Sequence, residues 1–182
     1  MSKKIHSVVA CCENGGIGYQ NSLPWKLKKE MAHFQKLTRG NPGGNRKNAL
    51  IMGRKTWDSL PKALAGRYNF VLSRNIKEKT KGMDGLYSSI DDFMKDMESP
   101  VWNDKVEDIF CIGGAEIYKL VMQSAYCGKL FCTRVLSSYK CDVFMPDMSG
   151  FQVIDSPSDI PQGEQVEENG TKWMVQVLVK TS

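Results

Sequence analysis

No apolar run in this 182-residue sequence approaches the roughly 20 residues that a bilayer-spanning helix requires, so a membrane protein is not expected. There is no C-x-x-C pair, and the only two histidines, His6 and His33, do not stand at a metal-ligand spacing, so no metal is expected either. Low-complexity tracts, internal repeats and long blocks of one charge are also missing, which removes flexible linkers, solenoids and charged arms from consideration. The opening MSKKIHSVVACC carries lysines, but its apolar part is too short for a signal peptide and runs straight into a strand pattern. Export is not expected, and a cytoplasmic location is.

What remains is ordinary globular material, 41% hydrophobic and 25% charged, and long enough for a single domain across residues 1–182 with a sizeable core. The net charge of +5 is modest and spread out. Its densest stretch, NIKEKTKG at 75–82, is interrupted by Glu78 and has no aromatic neighbour to stack on bases, so a small anionic ligand fits better than nucleic acid. Six cysteines need another reading than disulfides. Cys11 and Cys12 are adjacent and point to opposite faces of a strand, while Cys111 and Cys132 lie inside β-type runs, as buried free thiols of a reducing compartment do.

Apolar, β-branched runs recur as IHSVVACC, NALIMG, NFVLSR, VEDIFCIGG, KLFCTRVL and TKWMVQVLV. Helical patterns lie between them at 26–39, just after Gly53, at 90–97 and at 115–124. The alternating order predicts an α/β fold with a mostly parallel central sheet flanked by helices. The runs around Val8, Leu50, Val71 and Ile109 are nearly continuous in hydrophobicity, as strands covered on both faces are. The end of the chain differs: Asn169-Gly170 between two extended segments predicts a closing antiparallel hairpin. RGNPGGNRK at 39–47 reads as one surface loop, and the glycine-bearing ENGGIGYQNS at 13–22 as either a lid over a site or a plain connection.

One helix holds an anomaly. At 3.6 residues per turn, Leu27, Met31, Phe34, Leu37 and Thr38 form an apolar stripe on the helix at 26–39, the lysines take the other side, and Glu30 falls within the stripe. Three strand ends are also unusual. Ile112-Gly113-Gly114-Ala115-Glu116-Ile117-Tyr118 joins a strand to a helix through paired glycines, which let backbone amides approach a pyrophosphate. Met52-Gly53-Arg54-Lys55-Thr56-Trp57 puts two cations in a first helical turn, against the helix dipole, where an anion would explain them. Leu72-Ser73-Arg74-Asn75 ends a strand with a hydroxyl and a guanidinium, a pair suited to a phosphate monoester. Together they point to a phosphorylated dinucleotide.

LPW with an acidic helix position five residues on, IMGRKTW, GRYNFVLSR and IGGAEIY occur in this order and spacing, and the chain resembles the dihydrofolate reductases from about Ile5 to Lys180. The resemblance implies NADPH-dependent reduction of 7,8-dihydrofolate in one-carbon metabolism and thymidylate synthesis. By that resemblance Glu30 anchors the pterin, Thr133 supports its carboxylate, and Trp25 sits at the edge of the lid among the catalytic residues. Val9, Met31, Phe34, Ser59, Leu60, Leu64 and Ile112 are implied to line the substrate site, with Arg67 pairing with the α-carboxylate of the glutamate tail. Ala10, Ile17 and Gly18 are implied at the nicotinamide, and Gly53, Arg54, Lys55 and Thr56 at the phosphates. Ser73 and Arg74 are implied at the 2′-phosphate, Gly113, Gly114, Ala115, Glu116 and Ile117 at the pyrophosphate turn, and Tyr118 beside the nicotinamide. A monomer needing no nucleic acid or membrane is the implied form. Two other readings stay open here: a reductase of the same fold acting on a pyrimidine intermediate of riboflavin synthesis, and a module that only senses redox state.

Overall fold

The structure is a computed structural model that describes residues 3–41, 43–76, 78–154 and 165–181. Its strands are β1 (Ile5–Cys12), β2 (Gly16–Gly18), β3 (Lys47–Gly53), β4 (Tyr68–Leu72), β5 (Gly85–Tyr87) and β6 (Val106–Cys111), then β7 (Cys127–Val135), β8 (Val143–Phe144), β9 (Phe151–Ile154), β10 (Val166–Glu168) and β11 (Thr171–Lys180). The helices are α1 (Lys28–Arg39), α2 (Arg54–Ser59), α3 (Ile90–Met97), α4 (Pro100–Asn103) and α5 (Ala115–Gln123). Nine strands form one sheet in the order β10-β11-β7-β1-β6-β3-β4-β5, with β9 also on β11, and β2 pairs separately with β8. Among the described residues no helix is long and apolar enough to cross a membrane.

From β7 to β5 all pairings are parallel, while β11 runs antiparallel to β7, β9 and β10, so the α/β order and the closing hairpin are both as expected. Alternation explains the double burial. Ala49 and Ile51 enter one core cluster with Ile109, Cys111 and Phe70, while Leu50 and Met52 enter a second with Phe110 and Val71. Helix α3 covers the first face through Ile90, Phe93, Met94 and Met97, and α5 covers it through Ile117, Tyr118, Val121 and Met122. Phe34 and Leu37 of α1 and Trp57 of α2 pack on the second. Cys11 and Cys12 do enter different clusters, and all six cysteines are free. Because β1, β6, β3, β4 and β5 are parallel, their carboxyl ends share one edge of the molecule.

Several expectations change. Helix α1 starts at Lys28 rather than Lys26, because Leu27 is extended (φ −127°, ψ 100°) and its side chain is buried with Trp25 and Trp173. Only Glu30 and Thr38 of α1 are buried; Met31 is 40% exposed, and Phe34 and Leu37 are half-buried, because the stripe lies at the border between the core and the cleft, which Glu30, Met31 and Phe34 line. The segment at 13–22 is not a bare loop: β2 pairs with β8, and Tyr19 bridges to Ser22. Helix α5 ends at Gln123, with Ser124 as its cap. Strands β5, β8 and β9 and the single-turn α4 had no strong sequence signal. In the loop at 39–47, Pro42 lies outside the described residues and Lys47 already belongs to β3.

The hairpin turn places Asn169 at φ 52° and Gly170 at φ 77°, between the paired Glu168 and Thr171. Both central residues are left-handed, as a two-residue turn of this twist demands. Gly170→Ala should therefore lower stability by about 1 kcal/mol, whereas Asn169→Gly should change it by only a few tenths, both read from urea midpoints.

Candidate active site

A cleft of about 1440 Å³ opens along the carboxyl ends of the parallel strands. Its walls include Val9, Ala10, Ile17 and Gly18 from β1 and β2, Glu30, Met31 and Phe34 from α1, and Ser59, Leu60 and Leu64 after β3. The other side holds Gly53, Arg54, Lys55 and Thr56, then Ser73 and Arg74, and finally Ile112 through Tyr118. The sequence reading thus gathers nearly its whole residue set around one space. Asn21 and Ser22 of the segment read as a possible lid, Leu23 of LPW and Asn75 of the third strand end also line it, while Gln35, Ser88 and Ser89 were missed. Gln35 lies one residue from Phe34 on the helix already singled out. Ser88 and Ser89 follow the short β5, a fourth strand end of the same kind, which a three-residue strand hardly announces.

Glu30 is 6% exposed and stands in the first turn of α1, where the helix dipole favours a carboxylate. Burial, the dominant influence, pushes its carboxyl up to about 7; the Thr133 hydroxyl, donating to it, pulls the other way, and the charge of Glu168 adds to the rise. Glu168 has a second task. Both its oxygens accept from the Lys29 N–H at 3.0 Å, supplying the side-chain cap that Leu27 cannot give. The tip of the β10–β11 hairpin thereby holds the turn that carries Glu30.

The opposite half is built from backbone. Gly113 has φ 112°, and a Cβ there would lie 3.1 Å from the Tyr118 ring. Its carbonyl accepts from the Gly53 N–H at 2.8 Å, joining the two glycine turns, and a Cβ on Gly53 would meet Ile117 at 3.0 Å. Tyr118 locks α5 to β1 by donating its hydroxyl to the Val8 carbonyl at 2.6 Å. Helix α5 has no side-chain cap, and its first i−4 bond is Tyr118 N–H to the Gly114 carbonyl, which leaves the amides of Ala115, Glu116 and Ile117 ahead of any helical acceptor. Arg54 pairs with Asp58 at 3.4 Å on exposed α2. The Ser73 hydroxyl accepts from the N–H groups of Asn75 and Ile76 at 3.2 and 3.3 Å, shaping the turn that carries Arg74.

Three predicted residues do not line the cleft. Thr133 lies behind Glu30 on β7 and reaches it by the hydrogen bond already described. Trp25, expected at a lid edge, is buried against Tyr139 with an indole N–H that has no acceptor among the described residues. Arg67 is 6% exposed; its Nε donates to the Ala65 carbonyl at 3.0 Å and its Nη1 to the Thr38 hydroxyl at 2.9 Å.

The dihydrofolate reductase family model matches residues 4–178. The chain belongs to that family. Dihydrofolate reductase from Gallus gallus is 36% identical over 185 residues, covering 98% of this chain and 97% of its own. The enzyme from Sus scrofa is 36% identical over 186 residues, covering 99% and 100%. The solved structure of Schistosoma mansoni dihydrofolate reductase superposes with a TM-score of 0.83 at 31% identity, covering 98% of each chain. The activity is accordingly that of an oxidoreductase that reduces dihydrofolate to tetrahydrofolate, with NADPH the general reductant of the family. The riboflavin-pathway and redox-sensor readings are set aside.

A raised carboxyl has a stability signature. Below about pH 4.5 Glu30 is protonated in folded and unfolded chains alike; between there and about 7 the folded chain holds the proton more tightly, so its contribution to stability is lost as pH rises. Glu30→Gln mimics the protonated form. Its melting temperature should match the parent's near pH 4.5 and exceed it increasingly up to pH 8, with at most about 3 kcal/mol at the upper end. A difference in melting temperature that does not vary with pH would show that Glu30 titrates normally.

Proposed function

We propose that this chain reduces 7,8-dihydrofolate with NADPH as a cytoplasmic, single-domain monomer that needs no nucleic acid or membrane, using the residues gathered around the cleft. The observation that carries the reading is a buried carboxylate, Glu30, held by Thr133 in the same cleft as the uncapped amides of α5. One side offers a charge to a planar cationic ring and the other offers donors to phosphates. That combination suits hydride transfer between a pterin and a phosphorylated dinucleotide.

The glycine turn supports the cofactor assignment. A side chain at Gly113 would press on Tyr118, and one at Gly53 on Ile117, so the two turns keep their backbones bare toward the cleft. Gly113, Gly114 and the amides of Ala115, Glu116 and Ile117 would hold the pyrophosphate, with Gly53, Arg54, Lys55 and Thr56 across from them. Ser73 and Arg74 would hold the 2′-phosphate. Ala10, Ile17, Gly18 and Tyr118 would flank the nicotinamide, which supplies the hydride to C6.

On the substrate side, ionised Glu30 would pair with the pterin 2-amino group and the neighbouring ring nitrogen. Thr133 keeps the carboxylate oriented by donating to it. Val9, Met31, Phe34 and Ile112 would pack on the pterin and benzoyl rings, and Ser59, Leu60 and Leu64 would form the wall toward Arg67. The proton needed at N5 would pass by way of the pterin and an ordered water, with Glu30 setting its availability.

Single-turnover hydride transfer with NADPH already bound tests the role of Glu30. Glu30→Gln should slow the step about 10²-fold or more at neutral pH and recover as pH falls, since solvent can then protonate N5. Wild-type rates in the variant at neutral pH would remove Glu30 from the chemistry. For the cofactor, Arg74→Ala should raise the KM for NADPH about tenfold and leave the KM for NADH nearly unchanged, because only NADPH carries the 2′-phosphate. Equal losses with both would contradict the assignment of Arg74.

A further inference from the structure

We propose that Arg39 and Arg67 form a paired cation site for the two carboxylates of the substrate's terminal glutamate, Arg67 taking the α-carboxylate and Arg39 the γ-carboxylate. The proposal rests on the assignment of Arg67 above and adds a residue that neither the sequence motifs nor the cleft lining includes. Arg39 is the last residue of α1, one turn beyond Gln35, which lines the cleft, so both lie along the same edge of the helix. Its guanidinium folds back onto Gly66: a Cβ there would lie 2.9 Å from Arg39 Nε and 3.2 Å from Nη2. Gly66, at φ 77°, immediately precedes Arg67.

The two cations are held together by buried polar groups. Asn48 donates to the carbonyls of Thr38 and Arg39 at 3.0 and 3.2 Å, fixing the end of α1. Asn69 accepts from Leu64 N–H at 3.0 Å and donates to the Leu64 and Arg67 carbonyls at 3.0 and 3.1 Å, fixing the turn opposite. Among the described residues neither guanidinium pairs with a carboxylate. After burial, the charge of Arg39 is what lowers the proton affinity of Arg67, a sign that the two repel. A cation in the last helical turn suits the dipole, which accounts for a charge at position 39. It does not account for a guanidinium laid toward a second, buried one. A dianion with two carboxylates a few bonds apart relieves that repulsion, and the glutamate tail of dihydrofolate is one.

Ligand amides separate the two contacts. With NADPH saturating, Arg39→Gln should raise the KM for dihydrofolate about fivefold, the scale of an exposed ion pair, and the rise should shrink in high salt. Arg39→Lys should restore part of it. For the γ-carboxamide of dihydrofolate, wild type and Arg39→Gln should have the same KM. An equal rise for both substrates, or none for dihydrofolate, would make Arg39 a solvated surface charge and overturn the proposal. The α-carboxamide reports on Arg67 separately: it should bind wild type poorly and be insensitive to Arg67→Leu. If it binds as well as dihydrofolate, the Arg67 assignment fails irrespective of the result with the γ-amide.

Discussion

Strands β1, β3, β4 and β6 are covered on both faces, and the rest of the molecule follows from that constraint. A strand buried on both sides has little room for charge along its length, so functional polarity collects where the strands stop. Parallel pairing brings those stops to one edge. Among the buried polar side chains of β3 and β4, Asn48 and Asn69 each serve several backbone groups, and on the neighbouring β7 Thr133 serves Glu30. Each of these buried polar side chains braces a segment that lines or backs the cleft.

The cleft has two electrically different halves. The half around the glycine turns, Arg54, Lys55 and Arg74 is rich in backbone donors and cations and holds its charges near solvent, where their interactions are screened. The half around α1 keeps a single carboxylate, Glu30, deep enough for burial to outweigh the Thr133 hydroxyl. Such a carboxylate is poorly stabilised until a cation arrives. A pterin that shares its positive charge with Glu30 relieves the cost at the moment of binding, so the energy withheld from the empty site reappears as selectivity for a protonated ring. The hairpin tip adds to this balance, since Glu168 fixes the helix turn by hydrogen bonding and opposes ionisation by its charge.

Long strands and helices were legible in the sequence because periodicity alone specifies them: β1 matches the run IHSVVACC residue for residue, and α3 matches its pattern at 90–97. Glu30 and the cations at strand ends were legible because they break local rules, and a residue that breaks such a rule asks for a ligand; most other residues expected around the cleft were named only through the resemblance to the family. What could not be read depends on tertiary context. Strand β5, with three residues, exists because β4 offers it an edge. The exposure of Met31 follows from its place on the wall of the open cleft, which no period of 3.6 reveals. Arg67 carries no sign in its neighbours that it would be buried against Thr38, and the folding of Arg39 onto Gly66 needs both the end of α1 and the turn at 64–67 in place.

The segment at 13–22 differs from everything else around the cleft in how it is held. Beyond the short β2–β8 pairing, its backbone bonds to the segment at 139–145 include Asp142 N–H to the Gly18 carbonyl and Met145 N–H to the Gly15 carbonyl, both at 2.9 Å. Gln20 N–H adds a bond to the Asp142 carboxylate at 3.0 Å, and Asn14 donates to the Tyr139 carbonyl at 3.0 Å. Most of these groups lie near the surface, and the β2–β8 ladder is only two to three residues long. By contrast, the phosphate-side turns are tied to each other and to the core by Gly53, Gly113 and Tyr118. Local opening is cheapest where few apolar contacts and exposed hydrogen bonds hold a segment. Ile17 and Gly18 line the cleft from this weakly held segment, so this wall is the one that can move aside without disturbing Glu30 or the glycine turns.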